Sequence, residues 1–204
     1  MTARLHRGDL PVDYEPGPAV AVDTETLGLN PHRDRLCVVQ LSTGDGDAAL
    51  VQILPEGPPP ARLQQVLADP AVLKIFHFAR FDLAVLSHRL GVMPGPVYCT
   101  KIASRLARTY TDRHGLKDLT RELLGIDLSK AQQSSDWGAD ALTGAQVEYA
   151  ASDVLHLHAL KERLDAMLRR EGRVELAQAA FAFLPTRARL DLAGWAETDI
   201  FTHS

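Results

Sequence analysis

The chain has 204 residues, 46% apolar and 24% charged, which is enough for one domain with a substantial core. Against 26 Asp and Glu, 22 Lys and Arg leave a formal charge of −4. No overall basic field marks a nucleic-acid partner, although a bound divalent ion or a local basic patch inverts the field where it acts. The two cysteines exclude a disulfide framework and fit no zinc spacing. With no signal peptide or membrane-length apolar run read in the sequence, a cytoplasmic protein without a membrane partner is expected.

In chain order, "PAVAVDTETLGLN" (18–30) opens as an apolar strand and ends in an acid pair. "RLCVVQLSTG" and "DAALVQIL" read as two further strands around the turn "TGDGD". After the Pro-rich loop "LPEGPPPARL" come a helix, "ARLQQVLAD", and a fourth strand, "AVLKIFHF". "RFDLAVLSHRLG" gives a helix closed by Gly91, and "VYCTKIASRLAR" begins extended and turns helical. "GLKDLTRELLGI" sets Leu116, Leu119, Leu123 and Leu124 at helical spacing. A long helix is predicted from about Thr143, where Thr143 and Gln146 form a capping box, and the tail from Arg173 is helical with a break at Pro185. Three early strands, an alternating middle and a helical second half predict a mixed α/β sheet flanked by helices. One domain is expected over 1–204, with a motif-bearing core at about 18–170 and a helical tail at 171–204.

Three places put an acid where packing does not want one. Asp23 and Glu25 alternate to the same face of their strand and repel each other unless they share a positive partner. Asp82 follows an apolar strand and opens a helix, where capping is the simpler reading. Asp153 sits in the apolar stretch "VEYAASDVLHLHAL", and a lone buried carboxylate is costly unless paired or ligated. Four converging acids suit two hard divalent cations roughly 3.5–4 Å apart, the pair that clamps a phosphoryl displacement. Tyr149 lies one helical turn before Asp153 on the same face, either to hold a water or simply to pack.

Taken together, these segments resemble the motifs of the DEDD superfamily of 3′–5′ exonucleases, in the tyrosine-bearing branch that includes ribonuclease D. "VDTETLGL" is similar to D-x-E, "HFARFDLAVL" to H-x-x-x-[FY]-D-L and "YAASDVLHL" to Y-x-x-x-D. The intervening "GLKDLTRELLGIDLSKAQQSSDWGADALTGAQVEYAASDV" looks like ribonuclease D almost throughout, and the likeness runs from about Pro18 to Arg170. The resemblance implies a ribonuclease H-like fold with a five-stranded mixed sheet. It also implies Asp23, Glu25, Asp82 and Asp153 as ligands of two divalent ions, Mg2+ or Mn2+, and Tyr149 with Glu25 as the groups that aim the attacking water. The implied reaction releases nucleoside 5′-monophosphates one at a time from the 3′ end of single-stranded RNA, tRNA precursors among the candidates. Single-stranded DNA, or both nucleic acids, is the alternative substrate, and a non-catalytic nucleic-acid-binding domain the competing class.

The same likeness suggests substrate contacts. Leu29 matches a position that wedges beside the terminal base, and His77 and Phe81 flank the second motif, with Phe81 also suited to the core. Lys130, Gln133 and Trp137 belong to or precede the "SSDW" loop, where Trp137 either stacks or packs. Arg105, Arg108, Arg113, His114, Lys117 and Arg121 crowd the approach to that loop. Many relatives carry Arg-Pro where this chain has Asp140 and Ala141, so a phosphate contact from that loop is not expected. Larger bacterial relatives add C-terminal helical (HRDC) nucleic-acid-binding domains; in this short form their contribution is expected from a partner or from a homodimer.

Overall fold

A computed structural model describes residues 2–129 and 135–203. Its strands are β1 (Ala3–Arg7), β2 (Ala19–Thr26), β3 (Leu36–Ser42), β4 (Ala48–Gln52), β5 (Leu73–Phe76) and β6 (Val97–Cys99). They form one sheet in the order β1-β4-β3-β2-β5-β6. The β4-β3-β2 centre is antiparallel, whereas β1, β5 and β6 join it in parallel. Every residue of β3 is buried, as expected for a central strand covered on both faces.

Six strands replace the expected five. The extra one is β1, "ARLHR", whose half-exposed residues show no clean apolar alternation. Only its parallel register with β4, Ala3 against Ala48 through Arg7 against Gln52, makes it a strand. That pairing is non-local and leaves no periodic trace in the sequence.

The helices are α1 (Ala61–Ala68), α2 (Ala79–Leu90), α3 (Thr100–Ala107), α4 (Leu116–Leu119), α5 (Gly144–Leu155), α6 (Leu157–Arg170) and α7 (Val174–Leu190). Gly91 ends α2 in the left-handed region at φ 67°, and its N–H reaches the Ser87 carbonyl, as read from the sequence. The Thr143/Gln146 capping box is also present: Gln146 N–H donates to Thr143 Oγ1 at 3.2 Å and Thr143 N–H to Gln146 Oε1 at 2.9 Å. The long helix expected after it is two helices, α5 and α6, divided at His156. The "GLKDLTRELLGI" helix is one α-turn that widens into a π-turn over Thr120–Leu124.

Pro185 does not break the tail. The helix α7 runs through it to Leu190, because Ala177, Phe181, Leu184 and Ala188 bury one stripe against the rest of the fold. The bend expected at the proline comes instead after Leu190, in a π-turn whose Gly194 takes φ 104°. Among the described residues no helix is long and apolar enough to cross a membrane.

Candidate active site

Asp23 and Glu25 project from one face of β2 near its C-terminal end, where a bulge between Glu25 and Thr26 interrupts pairing with β3. Asp23 lies opposite Gln40 on β3, and the fully buried Gln40 amide donates to Asp23 Oδ2 at 3.2 Å. Asp153 reaches the same place from α5. One carboxylate oxygen from each of Asp23, Glu25 and Asp153 lies within 4.8 Å of the others.

Asp82 arrives differently. Thr24 alternates to the far face of β2 and donates its hydroxyl to Asp82 Oδ1 at 2.7 Å, anchoring the first turn of α2 to the strand. Asp82 is therefore outside the tight group of three. It remains buried and, after burial itself, is the largest electrostatic influence on Asp23.

Four acids so placed repel. Burial and then the other carboxylates push Asp23 well above the usual carboxylate range. Burial followed by Asp153 and Asp82 raises Glu25 to about 9. Burial raises Asp82 to about 7, partly offset by the Thr24 hydroxyl, and Asp153 to about 7, partly offset by Tyr149. Among the described residues no lysine or arginine forms an ion pair with any of the four. Oxygen donors alone converge here, which suits a hard divalent cation and not zinc or copper.

Asp23, Glu25 and Asp153 open into a cleft of about 290 Å3, also lined by His77, Lys117, Leu116, Leu128 and Tyr149. Tyr149 is held from behind by Trp137, ring centroids 6.0 Å apart, while the Gln146 side chain ties α5 to the Asp136 carbonyl at 3.1 Å. The capping box therefore sets both the start of α5 and the position of its two site residues. Burial, then the charges of Asp153, Glu25 and Asp23, raise the Tyr149 pKa above its ordinary value, so its hydroxyl stays protonated.

The profile of the 3′–5′ exonuclease domain matches residues 10–169. The chain belongs to the 3′–5′ exonuclease family. The chain is 37% identical over 176 residues to ribonuclease D of Granulibacter bethesdensis, an alignment covering 85% of this chain and 44% of that protein. It thus spans less than half the length of that curated relative. The structure of Brucella melitensis NrnC with bound Mg2+ is 60% identical, covers 100% of both chains and superposes with a TM-score of 0.95. Brucella melitensis NrnC bound to pGG is 61% identical over the whole of both chains, with a TM-score of 0.96. The mixed sheet flanked by helices implied by the resemblance is thus the fold of this chain, with one strand more than expected.

The residues expected to touch substrate divide into three groups. Leu29 stands 84% exposed at the tip of the β2–β3 connection, where Asp34 N–H donates to the Asn30 carbonyl and Asn30 N–H to Asp34 Oδ2. Gly28 is required in that turn, since a Cβ would lie 2.3 Å from Asp34 Oδ2. His77 lines the cleft. Trp137, by contrast, is 2% exposed, so it packs beneath Tyr149 instead of stacking on a base, and Phe81 is half-buried against the core. Lys130 and Gln133 lie outside the described residues.

Of the basic stretch, Lys117 faces the cleft. Arg108 is fully buried and bound to Glu122, and Arg121 pairs with Asp118. Gln40 and Thr24 escaped the sequence reading. The signal for each is positional: Gln40 is a polar residue in an all-buried strand opposite Asp23, and Thr24 alternates with the acid pair.

Proposed function

We propose that the chain is a two-metal-ion-dependent 3′–5′ exoribonuclease that releases nucleoside 5′-monophosphates from RNA 3′ ends in the cytoplasm. The observation that carries this reading is the uncompensated meeting of Asp23, Glu25 and Asp153, with Asp82 beside them and Tyr149 one turn away. The Mg2+ bound to NrnC in one structure and the pGG bound to it in another support the reading, as does the likeness to ribonuclease D. Mg2+ is the ion we assign.

Asp23, Glu25 and Asp153, with Asp82 beside them, would hold the divalent ions, since Asp23 feels the charge of all three other acids. Bound there, divalent ions would neutralise the acids, activate water and stabilise charge at phosphorus. The chain's own groups do the positioning. Tyr149, protonated, holds the attacking water by its phenol oxygen, with Glu25 as second partner. Lys117 meets a phosphate oxygen in the cleft.

His77 suits a sugar hydroxyl better than a phosphate. The Thr100 hydroxyl donates to the Phe76 carbonyl at 3.2 Å, so His77 Nδ1, 2.9 Å away, donates to Thr100. Burial and then Lys101 push the His77 pKa down to about 3, which keeps the ring neutral and leaves Nε2 as an acceptor.

Incubation of the protein with 5′-labelled RNA and DNA oligonucleotides, with Mg2+, Mn2+ or chelator, tests the reading. A ladder shortening from the 3′ end of RNA, abolished by chelator, is expected. Cleavage that is internal, or indifferent to chelator, would overturn it, and faster loss of DNA would transfer the assignment to that substrate.

A further inference from the structure

Phe78 is a bulky aromatic in a conformation that suits glycine. Its φ of 71° and ψ of 45° make it the sole non-glycine with positive φ among the described residues. An L-residue there carries a backbone penalty, and Asn or Gly would meet it more easily. Phe78 nevertheless caps α2 with no side-chain hydrogen bond to the helix, so capping does not explain the aromatic. Nor does core packing. The ring is 43% exposed, whereas Phe76 and Ala79 on either side of the turn are fully buried. The left-handed turn is what directs the ring outward.

Its surroundings point to a ligand face. Lys101, in the first turn of α3, places Nζ over the Phe78 ring, 4.3 Å from the centroid. Lys101 also acts on His77, the preceding residue, whose side chain lines the acid cleft. Strands β2 and β5 are adjacent and parallel, so the loops leaving their C-terminal ends emerge at the same edge of the sheet. One of those loops exposes Leu27 and Leu29, and the other exposes Phe78. These exposed apolar side chains follow closely on Glu25 and His77, which line the acid cleft, a placement suited to a flat apolar group attached to a phosphodiester.

We propose that Phe78 is a substrate-positioning residue that stacks on a nucleobase of the bound strand, with Lys101 as a cation behind the ring and close to the strand's backbone. The proposal rests on the nuclease reading above and adds the base-recognition face to it. A π-face accepts every base, so the platform confers grip without sequence, and purines gain more than pyrimidines through their larger overlap.

Steady-state kinetics of Phe78→Gly, Phe78→Ala and Phe78→Trp on short RNAs ending in A or in U, with Mg2+, test it. Phe78→Gly is the informative variant, because glycine accepts the left-handed turn and removes only the ring. It should melt no lower than wild type, raise KM about tenfold and leave kcat within about twofold, with the larger KM effect on the A-ended RNA. Phe78→Trp should keep KM within about twofold. A Phe78→Gly protein with wild-type KM on both RNAs, beside a wild type that digests them from the 3′ end, removes the platform and leaves the nuclease reading standing. A wild type that digests neither RNA removes both.

Discussion

Arg108 and the acid cluster are both charge taken out of water, and they are treated in opposite ways. The Arg108 guanidinium is fully buried, and it donates to Ser104 Oγ at 3.0 Å, to the Arg113 carbonyl at 2.7 Å and to Glu122 at 2.5 Å. Lys74 is handled similarly: its buried ammonium donates to the carbonyls of Asp69, Val72 and Gly95. Arg108 thus has a counter-charge in Glu122, whereas Lys74 has carbonyl acceptors alone. Asp23, Glu25, Asp82 and Asp153 have hydrogen-bond donors in Gln40, Thr24 and Tyr149 but no ion-paired cation among the described residues. The Arg108 charge is balanced within the protein, whereas the acid site is left open for charge supplied from outside.

The sharpest way to break this contrast is to remove one charge from each place. Asp153→Asn should lower turnover by about a thousandfold in the RNA digestion assay, yet raise the melting temperature of the chelated protein by relieving repulsion. A variant that loses activity and stability together would mean that Asp153 is scaffolding. Arg108→Met should do the reverse and destabilise by about 3 kcal/mol in urea unfolding, because it strands the partners of a buried cation.

A smaller effect separates orientation from charge. Tyr149→Phe should slow kcat roughly a hundredfold while Mg2+ affinity, measured calorimetrically, stays at the wild-type value. Weaker Mg2+ binding would instead make the phenol a ligand.

The mildest test is pH. For Glu25, Asp82 and Asp153 the native state keeps protons up to about 9, 7 and 7, whereas the unfolded chain releases them near 4. Between those values the native state binds more protons, so stability falls as pH rises. Melting temperature in chelator should therefore decline from about pH 5 to about pH 9, and Mg2+ should restore more of it at the alkaline end. Glu122 has the opposite sign: its hydrogen bond from Arg108 lowers its pKa, so its contribution is present at neutral pH and lost on acidification. A chelated protein whose stability is flat across that range would show that the four acids are not in conflict.

Much of the site was legible before any coordinates. Period-two alternation placed Asp23 and Glu25 together, helical spacing placed Tyr149 over Asp153, and the capping box marked where α5 starts. Side-chain direction was less legible. Trp137 in "SSDW" reads equally as a stacking surface or an anchor, and only its burial against Tyr149 decides for the anchor. Phe78 was invisible because nothing in "IFHFARFD" announces a left-handed residue.

What the sequence determined by itself was local chemistry and its spacing: the acids, the tyrosine, the glycine that ends α2, and a strand-rich start with a helical finish. Short-range periodicity carries that information, because it depends only on the geometry of one strand or one helix. Tertiary structure alone decided what depends on distant pairing. It made β1 a strand by giving it β4 as a partner and carried α7 past Pro185 on a buried stripe. It also tied Asp82 to β2 through Thr24 and left the meeting of Asp23, Glu25 and Asp153 without an ion-paired cation among the described residues.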